Sequence, residues 1–131
     1  MIVLDTHVLL WWVDNPAQLS RPASEAIEQA MKTKSVYVSC FSAWEIALLA
    51  ERGRLHLALD VRDWLARCER LPFLSFVPVS TAIAVESVRL PDFPNADPAD
   101  RIIAATALSL GAQLVTKDEK LRSYPNVQTV W

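Results

Sequence analysis

The sequence predicts an α/β domain, a mostly parallel sheet of five strands covered by helices on both faces. Three observations point that way. Short runs of Val, Ile and Leu alternate with helical patterns from one end of the chain to the other. The first run, Ile2-Val3-Leu4, is apolar at every position and reads as a buried strand. No repeat, low-complexity tract or linker breaks the alternation, so the 131 residues form one domain, 1–131.

Each element has a local reason. A helix over residues 6–13 follows the first strand and ends before Asp14-Asn15-Pro16. Ser20 and Pro22 open a second helix over 23–31, because proline suits a first helical turn. Residues 35–39 form the second strand, where Val36 and Val38 favour extended backbone. A third helix runs from about 42 to 52 and stops at Gly53. Asp60 caps a fourth over 61–71, with Val61, Trp64, Leu65, Cys68 and Leu71 at helical spacing. Residues 74–79 form the third strand, and Pro78 places it at a sheet edge. A helix over 81–90 leads into the loop 91–96. Asp97-Pro98 then opens a helix that Gly111 closes after Leu110. The fourth strand covers 112–116, a short helix follows Asp118, and the fifth strand covers 126–130.

Composition narrows the class. The apolar fraction of 52% exceeds the usual range of about 45–50%, which predicts extra apolar surface such as a subunit interface. No apolar stretch approaches the ~20 residues of a membrane span. Asp5 and His7 fall where the apolar region of a signal peptide would lie, so a cytoplasmic protein is expected. Cys40 and Cys68 are too few for a disulfide framework and read as small core residues in a reducing compartment. The net charge of −2 carries no basic footprint of a nucleic-acid binder. That count includes acids whose local sign a bound divalent ion would reverse.

Four acids carry the chemistry. In a parallel sheet the carboxyl ends of the strands share one edge, and ligands bind there. Asp5 follows the first strand directly; its alternative role is a helix N-cap on the His7 or Val8 amide. Glu45 sits early in the third helix, although Ser42-Ala43-Trp44-Glu45 also matches a capping box that would occupy the carboxylate. In Asp97-Pro98-Ala99-Asp100 the first aspartate is the natural cap, and Asp100, three residues on, faces the sheet edge. Asp118 lies just beyond the fourth strand, where a turn or cap is its other reading. Four acids on one edge repel one another unless a cation sits among them, which points to divalent metal and phosphate chemistry.

The remaining candidates are weaker. His7 and His56 have no partner at metal-ligand spacing and read as ordinary surface or core residues. With only Gly53 and Gly111, the chain has no glycine-rich phosphate loop, and no serine lies in G-x-S-x-G. Arg52, Arg54, Arg62, Arg67 and Arg70 suit a phosphate track or a solvated face equally. Trp11, Trp12 and Trp44 read as core, with some able to face a partner.

Four motifs now carry a resemblance across essentially the whole chain: VLDTHVLLWW, VSCFSAWEIALLAERGRL, DPADRIIAATAL and LVTKDEKL. In this order the sequence resembles the PIN-domain ribonucleases, specifically the toxins of VapBC-type toxin–antitoxin pairs. The resemblance implies a PIN-like three-layer α/β/α sandwich with strand order 3-2-1-4-5. It implies that Asp5, Glu45, Asp100 and Asp118 are the acidic quartet, with Asp5 and Asp100 as metal ligands; the spacing alone leaves open whether Asp97 joins them. Ala99 departs from the family, where a bulky aromatic is common.

The implied activity is a Mg²⁺-dependent endoribonuclease, with Mn²⁺ as a substitute, acting on tRNA or ribosomal RNA to stop translation. An RNA substrate, a small cognate antitoxin and a homodimer are the implied partners, with no membrane. Two other functions share the fold: a catalytically silent adaptor for RNA or protein, and a DNA-directed nuclease. A phospho-acceptor receiver domain is disfavoured, since Val79-Ser80-Thr81 stands where it needs an aspartate.

Overall fold

The strand β1 (Ile2–Leu4) lies at the centre of the sheet, with its three residues 3%, 0% and 0% exposed. The computed structural model describes residues 1–131. Around β1 stand β2 (Val36–Ser39), β3 (Leu74–Val77), β4 (Gln113–Val115) and β5 (Thr129–Val130). Their order is β3-β2-β1-β4-β5, as the resemblance implies, and every pairing is parallel. Leu4 pairs with Val38 on one side and Val115 on the other, so the strand ends are level.

Seven α-helices connect and cover the strands: α1 (Thr6–Asp14), α2 (Arg21–Lys32), α3 (Cys40–Glu51), α4 (Val61–Glu69), α5 (Thr81–Arg89), α6 (Pro98–Leu110) and α7 (Glu119–Ser123). Alternation along β1 sorts them into two layers. Ile2 and Leu4 join Val8 and Leu9 of α1, Ile27 of α2, Ile46 of α3 and Trp64 of α4 in one core. Val3 points the other way, to Ile103, Ala104 and Ala107 of α6, with Leu114, Leu121 and Tyr124. The alanines of α6 are wholly buried, and their small side chains let this helix lie close on β1, β2 and β4. Enlarging one would overpack the layer at about 1–3 kcal/mol.

The helices stand where the sequence places them, with bounds moved by about two residues at α2, α3 and α4. Ser20 caps α2 through its side chain, Asp60 caps α4, and Gly111 ends α6 in the left-handed conformation at φ 63°. A short 3₁₀ turn, Pro16–Gln18, fills the interval after α1. Every strand after β1 is shorter than predicted, β5 most of all, and β3 is indeed an edge strand. The important shift is at α3, which begins at Cys40 with Ser39 as its cap rather than near Ser42. Chain leaving β2 turns straight into the helix, so Ser42 lies inside the first turn. Cys40 is correspondingly exposed, against its predicted burial, while Cys68 is buried. Trp44 also departs from its core assignment, standing 55% exposed on α3.

Candidate active site at the carboxyl edge of the sheet

Because the strand ends are level, the residues just past β1, β2 and β4 meet at one edge. A cleft of about 500 Å³ opens there, lined by Asp5, Glu45, Asp97, Asp100 and Asp118 together with His7, Trp11 and Lys117. All four acids of the predicted quartet are present, and so is Asp97.

Asp5 is 7% exposed and anchored on both oxygens. Its Oδ1 accepts from the Thr6 amide at 2.8 Å, and its Oδ2 accepts from Thr116 Oγ1 at 2.7 Å. It therefore caps α1, though through Thr6 rather than His7 or Val8, and still faces the cleft. Each carboxylate oxygen keeps a second lone pair. Burial raises its pKa above the ordinary range, against the Thr116 hydrogen bond, the Thr6 amide and His7; Asp118 adds a further upward push.

Thr116 is fully buried and joins two of the acids. Its Oγ1 donates to Asp5 and accepts the Asp118 amide at 3.0 Å. Asp118 in turn caps α7, accepting from the amides of Lys120 and Leu121. Its cap and cleft positions coexist, as they do for Asp5.

Glu45 settles the capping-box alternative. Its Oε1 accepts from Thr6 Oγ1 at 2.5 Å, 39 residues away in sequence, while the α3 cap is supplied by Ser39. Thr6 Oγ1 also lies 2.9 Å from the buried Ser42 Oγ, so the motif's serine serves the same cluster. Desolvation raises the Glu45 pKa; the Thr6 hydrogen bond opposes this, and Asp5 and Asp97 reinforce it.

Asp97 caps α6 through the Ala99 amide at 2.9 Å, as its position before proline requires. One turn on, Asp100 accepts from Asn95 Nδ2, while Asn95 Oδ1 accepts the Asp97 amide at 3.0 Å. The Asp100 carboxyl is pushed up to about 7, first by burial and then by Asp5, Asp97, Asp118 and Glu45. Four like charges act on it, which is the electrostatic signature of one shared pocket.

Sequence patterns missed the groups that hold these acids. Thr6, Ser42 and Thr116 are buried hydroxyls, and Asn95 is a half-buried amide. Only the D-T pair and the T-K-D spacing carried a trace of them. The donor set is hard oxygen, with no thiolate in the cleft, which suits Mg²⁺ or Mn²⁺. No three of the His, Cys, Asp and Glu side chains close into a cage that would hold an ion unaided. Mg²⁺ does not require one, since it typically takes one or two carboxylates and keeps its waters. The residues fit such an ion.

A parallel 3-2-1-4-5 sheet with acids gathered at its carboxyl edge defines the class: an α/β domain with an acidic, oxygen-lined pocket. The pattern describing the PIN domain matches residues 2–127. The chain belongs to the PIN-domain family. It is 42% identical over 132 residues to Ribonuclease VapC22 of Mycobacterium tuberculosis (strain ATCC 25618 / H37Rv), covering 99% of this chain and 98% of that protein. Among solved structures it resembles VapBC2 from Rickettsia felis bound to a DNA fragment from their promoter, with TM-score 0.72, 17% identity, and 98% and 97% of the two chains covered. DNA-bound VapBC from Salmonella typhimurium gives TM-score 0.69 at 19% identity, covering 98% and 95%.

Proposed function

We propose that this protein is a Mg²⁺-dependent endoribonuclease, the toxin of a toxin–antitoxin pair, which cleaves tRNA or ribosomal RNA and so stops translation. The observation that carries the proposal is the convergence of Asp5, Glu45, Asp100 and Asp118 in one cleft. The similarity to a protein named Ribonuclease VapC22 supports the substrate class.

Asp5 and Asp100 are the residues that would hold the metal, with Mn²⁺ able to substitute. When bound, the ion acidifies a coordinated water and offsets charge on the scissile phosphate. The protein's own contribution is positional. Thr116 and the Thr6 amide hold the Asp5 carboxylate, and Asn95 holds that of Asp100. The Thr6 hydroxyl fixes Glu45 at Oε1, and the raised pKa of that carboxylate makes it a better proton acceptor for the attacking water. Asp118, tied to Asp5 through Thr116, acts through water on the same centre. As the water oxygen bonds to phosphorus and its proton passes to Glu45, the bond to the 3′ oxygen breaks and that oxygen takes a proton from solvent.

A solved neighbour described as a toxin–antitoxin complex, from Klebsiella pneumoniae, motivates a small cognate antitoxin that silences the cleft. A homodimer accounts for the exposed Trp44, Val85 and Val88 on α3 and α5. No helix is long and apolar enough to cross a membrane, and a cytoplasmic site of action completes the proposal. The test is to sequence RNA ends after controlled expression of wild type and Asp100→Ala. New 5′ ends in the wild type alone are expected. Undiminished cleavage by purified Asp5→Asn would overturn the assignment, and digestion of single-stranded DNA in place of RNA would redirect it.

A further inference from the structure

We infer that a groove along α1, lined by His7, Trp11, Arg54 and His56, is the track that holds the RNA strand beside the scissile position. This inference rests on the ribonuclease proposal above and adds a binding site to it.

The acidic cleft cannot hold a polyanion alone. It presents five carboxylates and one fixed cation, Lys117, so the phosphates flanking the cut need a cationic surface next to it. A second cavity, about 310 Å³, adjoins the cleft and shares His7 and Trp11 with it. Its far wall is the end of α3 and the loop beyond, bringing Leu49, Arg54 and His56 opposite α1. Its charge is balanced where the cleft is strongly negative, with Arg54 set against Asp14 alone. Arg54 is an exposed cation without an ion pair, and both imidazoles donate N–H groups. The single acid there, Asp14, already accepts from Trp64 Nε1 at 3.2 and 3.3 Å.

A cavity beside α4 also has a cation, Arg67, but its aromatic ring, Trp64, is buried, and two further cavities lack a free cation. The one between α5 and α6 holds Glu86 and no cation. In the one beside Ser87 the guanidinium of Arg101 is committed, 5.3 Å from the Phe93 ring centroid and donating to the Ser87 carbonyl.

Trp11 stands where cleft and groove meet. Lys117 Nζ lies 5.8 Å from its ring centroid, and the His7 ring lies 5.9 Å away, one turn back on α1. With Lys117 at its edge and Arg54 in the adjoining groove, Trp11 pairs a ring with cations, the recurring device for gripping single-stranded nucleic acid by base stacking and phosphate pairing together. Trp11 and the groove thus take a base and phosphates adjoining the cut.

The probe is a fluorescein-labelled single-stranded RNA dodecamer, bound to full-length Asp100→Asn protein and followed by anisotropy. Trp11→Leu is expected to weaken binding roughly 5- to 150-fold, with Trp11→Phe restoring most of it. Exposed Arg54→Ala, which leaves the core untouched, should lower the slope of log K against log[salt] by about 0.7. In the active background the same Arg54→Ala should raise KM while kcat holds. Dodecamer binding indifferent to both Trp11→Leu and Arg54→Ala overturns the track while the nuclease proposal stands. Loss of a peptide partner in those variants with RNA binding intact also overturns it, making the groove a protein-docking surface. If wild type neither binds nor cleaves RNA, the nuclease proposal fails first and the track with it.

Discussion

The two cores and the acidic edge of this molecule obey opposite rules. Beneath the sheet, Val3, Leu4, Val8, Ile103 and Leu114 are each wholly buried, and no buried side-chain polar atom anywhere lacks a hydrogen-bond partner. At the carboxyl edge, five acids share a cleft with one lysine, and the four acids around Asp100 all push its proton affinity upward. The core contributes stability. The edge consumes some of it to keep negative charge concentrated where a cation and a phosphate would meet. Substitutions in the two regions should therefore separate cleanly, with folding lost in one and chemistry in the other.

The sharpest separation is Glu45→Gln. It keeps the size of the side chain and a carbonyl to accept from Thr6, but removes the proton acceptor. Cleavage is expected to fall by about 10²–10⁴-fold while thermal unfolding stays close to that of wild type. A comparable loss of folding would break the distinction. Leu114→Ala tests the other region: the side chain is fully buried in the second core, and its loss should cost about 2–5 kcal/mol in denaturant unfolding. Thr116→Val probes the boundary, since the hydroxyl is buried like a core residue yet serves Asp5 and Asp118. A drop of about 10–100-fold in metal affinity is expected from calorimetry with Mn²⁺.

A fourth contrast lies in pH. With metal chelated, the Asp100 carboxyl titrates near 7 in the folded protein against 3.8 when exposed. Between these values the folded state keeps a proton that the unfolded chain releases. This contribution is complete below about pH 4 and is lost as pH rises through 7. Asp100→Asn lacks it, so its melting temperature should gain on wild type from pH 5 to 8 in EDTA. A constant offset across that range would show that Asp100 is not the group responsible.

Much of the site was legible in the chain. Asp5 after an apolar strand, Asp100 one turn past a proline-marked cap and Asp118 after β4 are all local patterns, because strand ends and helix caps are written in neighbouring residues. Glu45 was ambiguous for a physical reason: Ser39 and Ser42 both precede helical sequence, and only the abrupt turn out of β2 makes Ser39 the cap. Burial of Thr6, Ser42 and Thr116 was invisible, since their partners lie 36 to 111 residues away. Exposure of Cys40 and Trp44 follows from the same early start of α3. The parallel pairing followed from the alternation of elements, whereas the strand order came from the family resemblance.

Asp5 ends the first strand, begins the first helix and supplies the site, all with one side chain. Inactivation and misfolding are consequently entangled at this position. Alanine there strands the Thr6 amide and the Thr116 hydroxyl as buried donors, so a silent Asp5→Ala protein would say little about chemistry. Asparagine retains an oxygen for one of those donors. A safe strain carrying a disarmed copy of this gene is better built on Asp100, whose side chain bonds Asn95 and leaves the joint between strand and helix intact.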